Sequence, residues 1–260
     1  MRGWQLRLWT EWDTRAFARG ALTAAVALAL VGVVTAASDE GGLGWGVRAG
    51  RTLPLAPVCA AVGAWLALAP ARARGDDRAM ATLGRSPWQR EGAAIAGGAL
   101  VAFVAALAIA AVARVDVAGF YPRAEATVHW AYDGHDFLSD DGRWKVEPDG
   151  APVPAARERD AGVEASANGV PARGRIAAAL ATAALGLALP MLVARARSKR
   201  AAIVGAAAIG FGALATILAF QAAAAGVASA LVAPLPPLLL LAVAASRYRA
   251  WTWSRVKSPR

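Results

Sequence analysis

Residues 201–246 read AAIVGAAAIGFGALATILAFQAAAAGVASALVAPLPPLLLLAVAAS, 46 consecutive positions without Asp, Glu, Lys, Arg or His. A bilayer core takes about 20 apolar residues per helical pass, so this run is long enough to cross twice. Pro234, Pro236 and Pro237 interrupt its second half. Proline lacks a backbone donor, so the last helix either kinks there or starts around Pro236 after a short turn. A lone charge at mid-bilayer costs at least ~2.5 kcal/mol even on the lenient insertion scale, so a charge-free run of this length is informative.

Four more stretches share the property: Gly20–Ser38, Thr52–Ala71, Gly92–Ala113 and Ile176–Ala194. Six spans follow. A cleaved signal peptide is excluded for the first, because five further segments of the same kind lie behind it. The expected fold is an all-α polytopic membrane protein of six transmembrane helices, with a small β-containing insertion between the third and fourth.

The whole-chain composition agrees: 260 residues, 57% apolar, 18% charged, net charge +10. It excludes a disordered polymer and an ordinary cytosolic enzyme. The single cysteine, Cys59, excludes an intramolecular disulfide, and its apolar surroundings read as packing. The excess of Lys and Arg lies between the apolar blocks, which marks topology and argues against a nucleic-acid partner. Eighteen basic residues fall in 1–19, 72–91, 195–200 and 247–260, against ten in 39–51 and 114–175, where eleven acidic residues share the larger loop. The positive-inside rule then places both termini in the cytoplasm.

The domain reading has five parts. Residues 1–19 form an amphipathic interfacial helix, with Trp4, Leu8, Trp12 and Ala16 on one face. Residues 20–113 hold spans one to three, 114–175 a small outer domain, 176–246 spans four to six, and 247–260 a cytoplasmic tail. Within 114–175, Ala124–Tyr132 and Arg143–Val146 read as strands around the turn dipeptides Asp133-Gly134 and Asp141-Gly142, and Glu147–Arg173 as proline-rich linker. The spans are rich in Ala and Gly, including Gly97, Gly98, Gly205, Gly210 and Gly212, which lets helices approach closely in lipid.

Catalytic chemistry is sparse. The charge-free stretches offer no relay or activated nucleophile. His129 and His135, with Asp133 and Asp136, are separated by a strong turn signal, so they read as solvated loop side chains and no metal site is expected. No Gly-Lys-Ser/Thr loop is present, so the chain is not expected to be an enzyme, and any ATP and Mg are expected in a partner.

The functional argument rests on 71–91, ARARGDDRAMATLGRSPWQRE. Asp76 and Asp77 open a short helix over 75–85 that Gly84 can close in the left-handed conformation, and Ser86-Pro87 then caps the third span. Ala79, Met80 and Leu83 make an apolar peg between charged flanks. The pattern Asp76, Ala79, Met80, Gly84, Ser86 between spans two and three resembles the coupling helix of ABC-transporter permeases. It is most similar to the LptF/LptG (YjgP/YjgQ) family of lipopolysaccharide-export permeases. Leu235-Pro236-Pro237-Leu238 matches that family's Leu-Pro-Pro-Leu-like run opening the last span. The departures are Asp76 for the usual Glu, Asp77 for a hydrophobic residue, and a much shorter outer domain.

The resemblance implies a bacterial inner-membrane permease that moves a lipid or other amphiphile. Its short helix would dock into a cytoplasmic ABC ATPase dimer, and a second six-span subunit, identical or paralogous, would complete the cavity. A lateral gate would involve the fifth span, with Gly205, Gly210, Gly212, Phe220 and Gln221 as candidates. Two rivals stay open. One is a non-transporting membrane scaffold or regulatory subunit; the other is an enzyme acting on lipid heads through the outer Asp and His residues.

Overall fold

The computed structural model describes residues 10–38, 43–121, 130–132, 137–139, 144–146, 152–154, 172–196 and 198–254. The helices are α1 (Glu11–Ala37), α2 (Trp45–Thr52), α3 (Ala56–Ala73), α4 (Asp76–Thr82), α5 (Pro87–Ala111), α6 (Ala172–Ala194), α7 (Lys199–Ala224) and α8 (Leu235–Ser254). A single 3-10 turn, Leu53–Leu55, joins α2 to α3, and together they form one path from Trp45 to Ala73. Among the described residues, six helical segments are long and apolar enough to cross a membrane. The protein is a multi-pass membrane protein, and six crossings put the start of α1 and the end of α8 at one end of the bundle.

Local sequence sets the helix boundaries. Thr10 caps α1: its hydroxyl accepts from the Asp13 amide at 3.4 Å, while its own amide donates to the Asp13 carboxylate at 3.1 Å. Ser86 and Gln89 make the same reciprocal pair at α5, with Pro87 in the first helical position. The last helix starts at Leu235, after a 3-10 turn over Ala230–Val232, so Pro236 and Pro237 sit in its first turn, where no donor is missed.

One boundary differs from the sequence reading. The interfacial helix expected over residues 1–19 lies partly outside the described residues, and from Glu11 onward it runs without a break into the first span. The third span opens at Pro87 behind its Ser86 cap, as expected, so Arg90 and Glu91 lie inside the helix ahead of the charge-free stretch Gly92–Ala113.

In the insertion, four three-residue strands are described: β1 (Trp130–Tyr132), β2 (Phe137–Ser139), β3 (Trp144–Val146) and β4 (Pro152–Pro154). They pair antiparallel in chain order, with Trp130 opposite Ser139, Phe137 opposite Val146 and Lys145 opposite Val153. β4 lies in the stretch expected to be linker. The histidines, their neighbouring aspartates and both turn dipeptides lie outside the described residues.

The bundle core is built from α1, α3, α5 and α6, and its buried side chains are mostly alanine. Glycine allows helix backbones to touch: a methyl group at Gly20 would lie 2.6 Å from the Ala94 carbonyl oxygen, and one at Gly63 would lie 2.6 Å from that of Gly20. Close backbone approach of this kind holds helices together where lipid removes the hydrophobic drive. Leu22, Val26, Leu30 and Val33 form an exposed stripe along α1, as a lipid-facing helix requires. α7 is the least embedded member of the second half; its buried residues are Gly205 and Phe220.

Candidate functional site

Because α7 stands off from the bundle, a cleft separates it from α3 and α6. Its part farther from the termini-bearing end is a cavity of about 410 Å³ between Pro54 and Pro57 at the start of the second span, Thr182 and Leu185 on α6, and Thr216 and Ile217 on α7. Further toward the termini-bearing end, Val62, Trp65, Leu189 and Ile209 border a second cavity of about 360 Å³. Among the residues lining either cavity none is charged. The two hydroxyls are turned back on their own helices, Thr182 to the Ala178 carbonyl at 2.9 Å and Thr216 to that of Gly212 at 2.6 Å. What remains is an apolar wall suited to an alkyl chain.

Aromatic side chains close the end of this cavity away from the termini. Phe220 is buried, with its ring centroid 5.7 Å from Phe120 and 5.2 Å from Tyr121. The Tyr121 hydroxyl donates to the Gly174 carbonyl at 2.8 Å, and burial pushes its pKa from 10.0 up to about 12. Arg175 anchors this corner by donating to the carbonyls of Ile109 at 3.0 Å and Val115 at 2.9 Å, and to that of Val112. A cation over the last carbonyls of α5 also complements its helix dipole.

The five gate candidates do not converge. Phe220 lines the cleft, while Gln221 and Gly210 are exposed. Gly205 faces Leu192 of α6, and a methyl on Gly212 would meet the Leu240 side chain of α8. Phe120, Tyr121, Pro54 and Pro57 were missed as site residues. The available signal was the prolines at the start of the charge-free run Thr52–Ala71 and the aromatic pair Phe120-Tyr121 soon after Gly92–Ala113.

At the opposite end of the cleft, the helix expected over 75–85 is α4. Gly75 (φ 79°) precedes it and Gly84 (φ 81°) terminates it. The Arg85 amide bonds the Met80 carbonyl at 3.1 Å and the Gly84 amide that of Ala81 at 3.1 Å, the paired closure that a left-handed glycine permits. Ala79 and Leu83 are exposed, Leu83 at 81%. Met80 is half-buried, its sulfur 3.9 Å from Arg85. Asp76 pairs with Arg74 at 3.0 Å and Asp77 with Arg90 at 2.7 Å, so both acids brace the helix within the chain. Ser86 caps α5.

A buried polar cluster, absent from the sequence reading, supports this end. Glu91 of α5, 1% exposed, accepts from the Tyr248 hydroxyl of α8 at 2.9 Å and lies 3.7 Å from Arg72 of α3. Arg72 also donates to the Ala194 carbonyl at the end of α6. One carboxylate thus sits among four helices. Trp88 meets the Tyr248 ring edge-on at 5.7 Å. The signal was in the helix period: Glu91 continues the buried α5 face of Ile95, Gly98, Ala102, Ala105 and Ile109.

No protein-family model matches the chain, and no curated protein matches it.

Proposed function

We propose that this chain is the membrane-spanning subunit of an ABC-type transporter that moves a lipid or other amphiphile, driven by ATP and Mg bound in a separate cytoplasmic ATPase dimer. The carrying observation is the pairing of α4, a short helix with Leu83 exposed, with the charge-free cleft along α7. The Asp77–Arg90 contact fastens α4 to α5, so a push on α4 reaches the bundle through a buried ion pair instead of a loose loop. Bundle motion would then widen or close the cleft, a two-state device with ATP as the bias.

In this reading the protein lies in a bacterial inner membrane with both termini cytoplasmic, and it pairs with a second six-span subunit, identical or paralogous. In this reading the cleft binds and the partner hydrolyses.

The test is purification of the tagged full chain from its native membrane in mild detergent. A stoichiometric P-loop ATPase whose hydrolysis rate responds to added lipid supports transport. Recovery of the chain in a stable complex without such an ATPase replaces the reading with a scaffold or regulatory subunit.

A further inference from the structure

A third cavity, of about 380 Å³, opens at the termini-bearing end between Arg195 after α6, Arg200, Ala201 and Val204 in the first turns of α7, and Arg247 on α8. It shares no lining residue with the apolar cleft, whose nearest lining residues along the chain are Val193 and Ile209. Among the described residues, none of the three guanidiniums is paired with a carboxylate. The sequence explains why: the last acidic residue in it is Glu164, so the 96 residues that follow, α6, α7 and α8 among them, contain no Asp or Glu. Whatever neutralises these arginines comes from outside this part of the chain.

Two further observations point to an anion. Arg195 lies over the Tyr248 ring at 5.0 Å, and its Nη1 is buried with no hydrogen-bond partner. A buried charged donor left unpaired is costly, and an oxyanion in the cavity removes that cost. In α7, Ser198 satisfies the Ala201 amide at 3.2 Å, and the 26-residue helix directs its positive end at the same space.

We propose that this cavity binds the phosphate of an anionic lipid head group. Arginine suits phosphate because its planar fork donates two parallel hydrogen bonds. The lipid is favoured over a soluble phosphate because Val204 also lines the cavity and the adjoining α7 surface is apolar, with Ile203 exposed. A head group there bridges three helices, α7 among them, and steadies the helix that borders the apolar cleft. Basic pockets between membrane helices recognise anionic lipids on these terms.

The experiment uses the purified full chain in an uncharged detergent. Phosphatidylglycerol, phosphatidylcholine or inorganic phosphate is added, with thermal unfolding and native mass spectrometry as readouts. Phosphatidylglycerol is expected to raise the unfolding temperature and remain bound, while phosphatidylcholine does neither. Arg200→Gln with Arg247→Gln is expected to weaken phosphatidylglycerol binding about tenfold or more, as loss of charge-assisted bonds predicts. The charge-matched pair Arg19→Gln with Arg78→Gln, both exposed and outside the cavity, is expected to bind as the parent does. Should the double variant not fold, Arg200→Gln alone, at an exposed first-turn position, carries the comparison. Equal weakening by both pairs, or none by either, overturns the site. Inorganic phosphate that stabilises the parent as well as the lipid does, through the same arginines, overturns the lipid assignment in favour of a soluble phosphate.

Discussion

Arg90 grips Asp77 twice, with Nη1 2.7 Å from the carboxylate and 2.9 Å from the backbone carbonyl, and thereby ties a seven-residue helix to a membrane span. Both side chains are largely buried, at 5% and 16% exposure. Removing one partner of such a pair leaves an uncompensated charge, which costs about 3–5 kcal/mol. Arg90→Ala is therefore expected to lower the unfolding temperature of the purified protein substantially and to speed tryptic cleavage at Arg78 and Arg85. Unchanged proteolysis would mean that α4 is held by other contacts.

Gly84 ends α4 at a φ of 81°, where a β-branched side chain is strained by about 1–2 kcal/mol. Gly84→Val should distort the peg while leaving the spans intact, and Met80→Asp should spoil its apolar face. Each is expected to reduce ATPase recovery on co-purification, with circular dichroism showing the helix content retained.

In the apolar cleft, Ala213→Trp would fill the larger cavity, and Phe220→Ala would open its roof at a cost of about 3–5 kcal/mol. The first variant is expected to lose binding of a fluorescent amphiphile with little change in stability. The second is expected to lose stability first. A tryptophan that leaves binding intact would place the substrate elsewhere.

Tyr121 makes a pH prediction. Its folded pKa, about 12, lies above the ordinary 10.0, so between these values the folded state holds a proton that the unfolded state has released. Stability is then fully present below pH 10 and falls as pH rises toward 12. Tyr121→Phe is expected to flatten the loss of unfolding temperature in that window, and the parent-minus-variant phenolate absorbance should titrate near 12.

The six spans were legible because each contains a long charge-free stretch, and the start of α5 because Ser86 and Pro87 each do a separate local job. α4 was legible for a similar reason: two glycines with left-handed backbones bracket a short run of helix formers. Glu91 escaped because a hydropathy reading ends a span at the first charge, whereas a buried charge is tolerated when its partners come from other helices. Those partners, Arg72 and Tyr248, are distant in sequence, and only the folded bundle brings them together. The gate glycines do not converge for a related reason. A small residue signals close approach without naming the neighbour, and Gly205, Gly210 and Gly212 turned out to face three different surroundings.

The central claim is that α4 takes force from a separate ATPase, and Leu83 is its most exposed apolar side chain. The most direct test replaces Leu83 with a photo-crosslinking amino acid in the full chain and irradiates native membranes. The account predicts a crosslink to a P-loop ATPase whose yield changes when ATP is added. A folded chain that crosslinks at Leu83 only to itself or to lipid, with or without ATP, would contradict it.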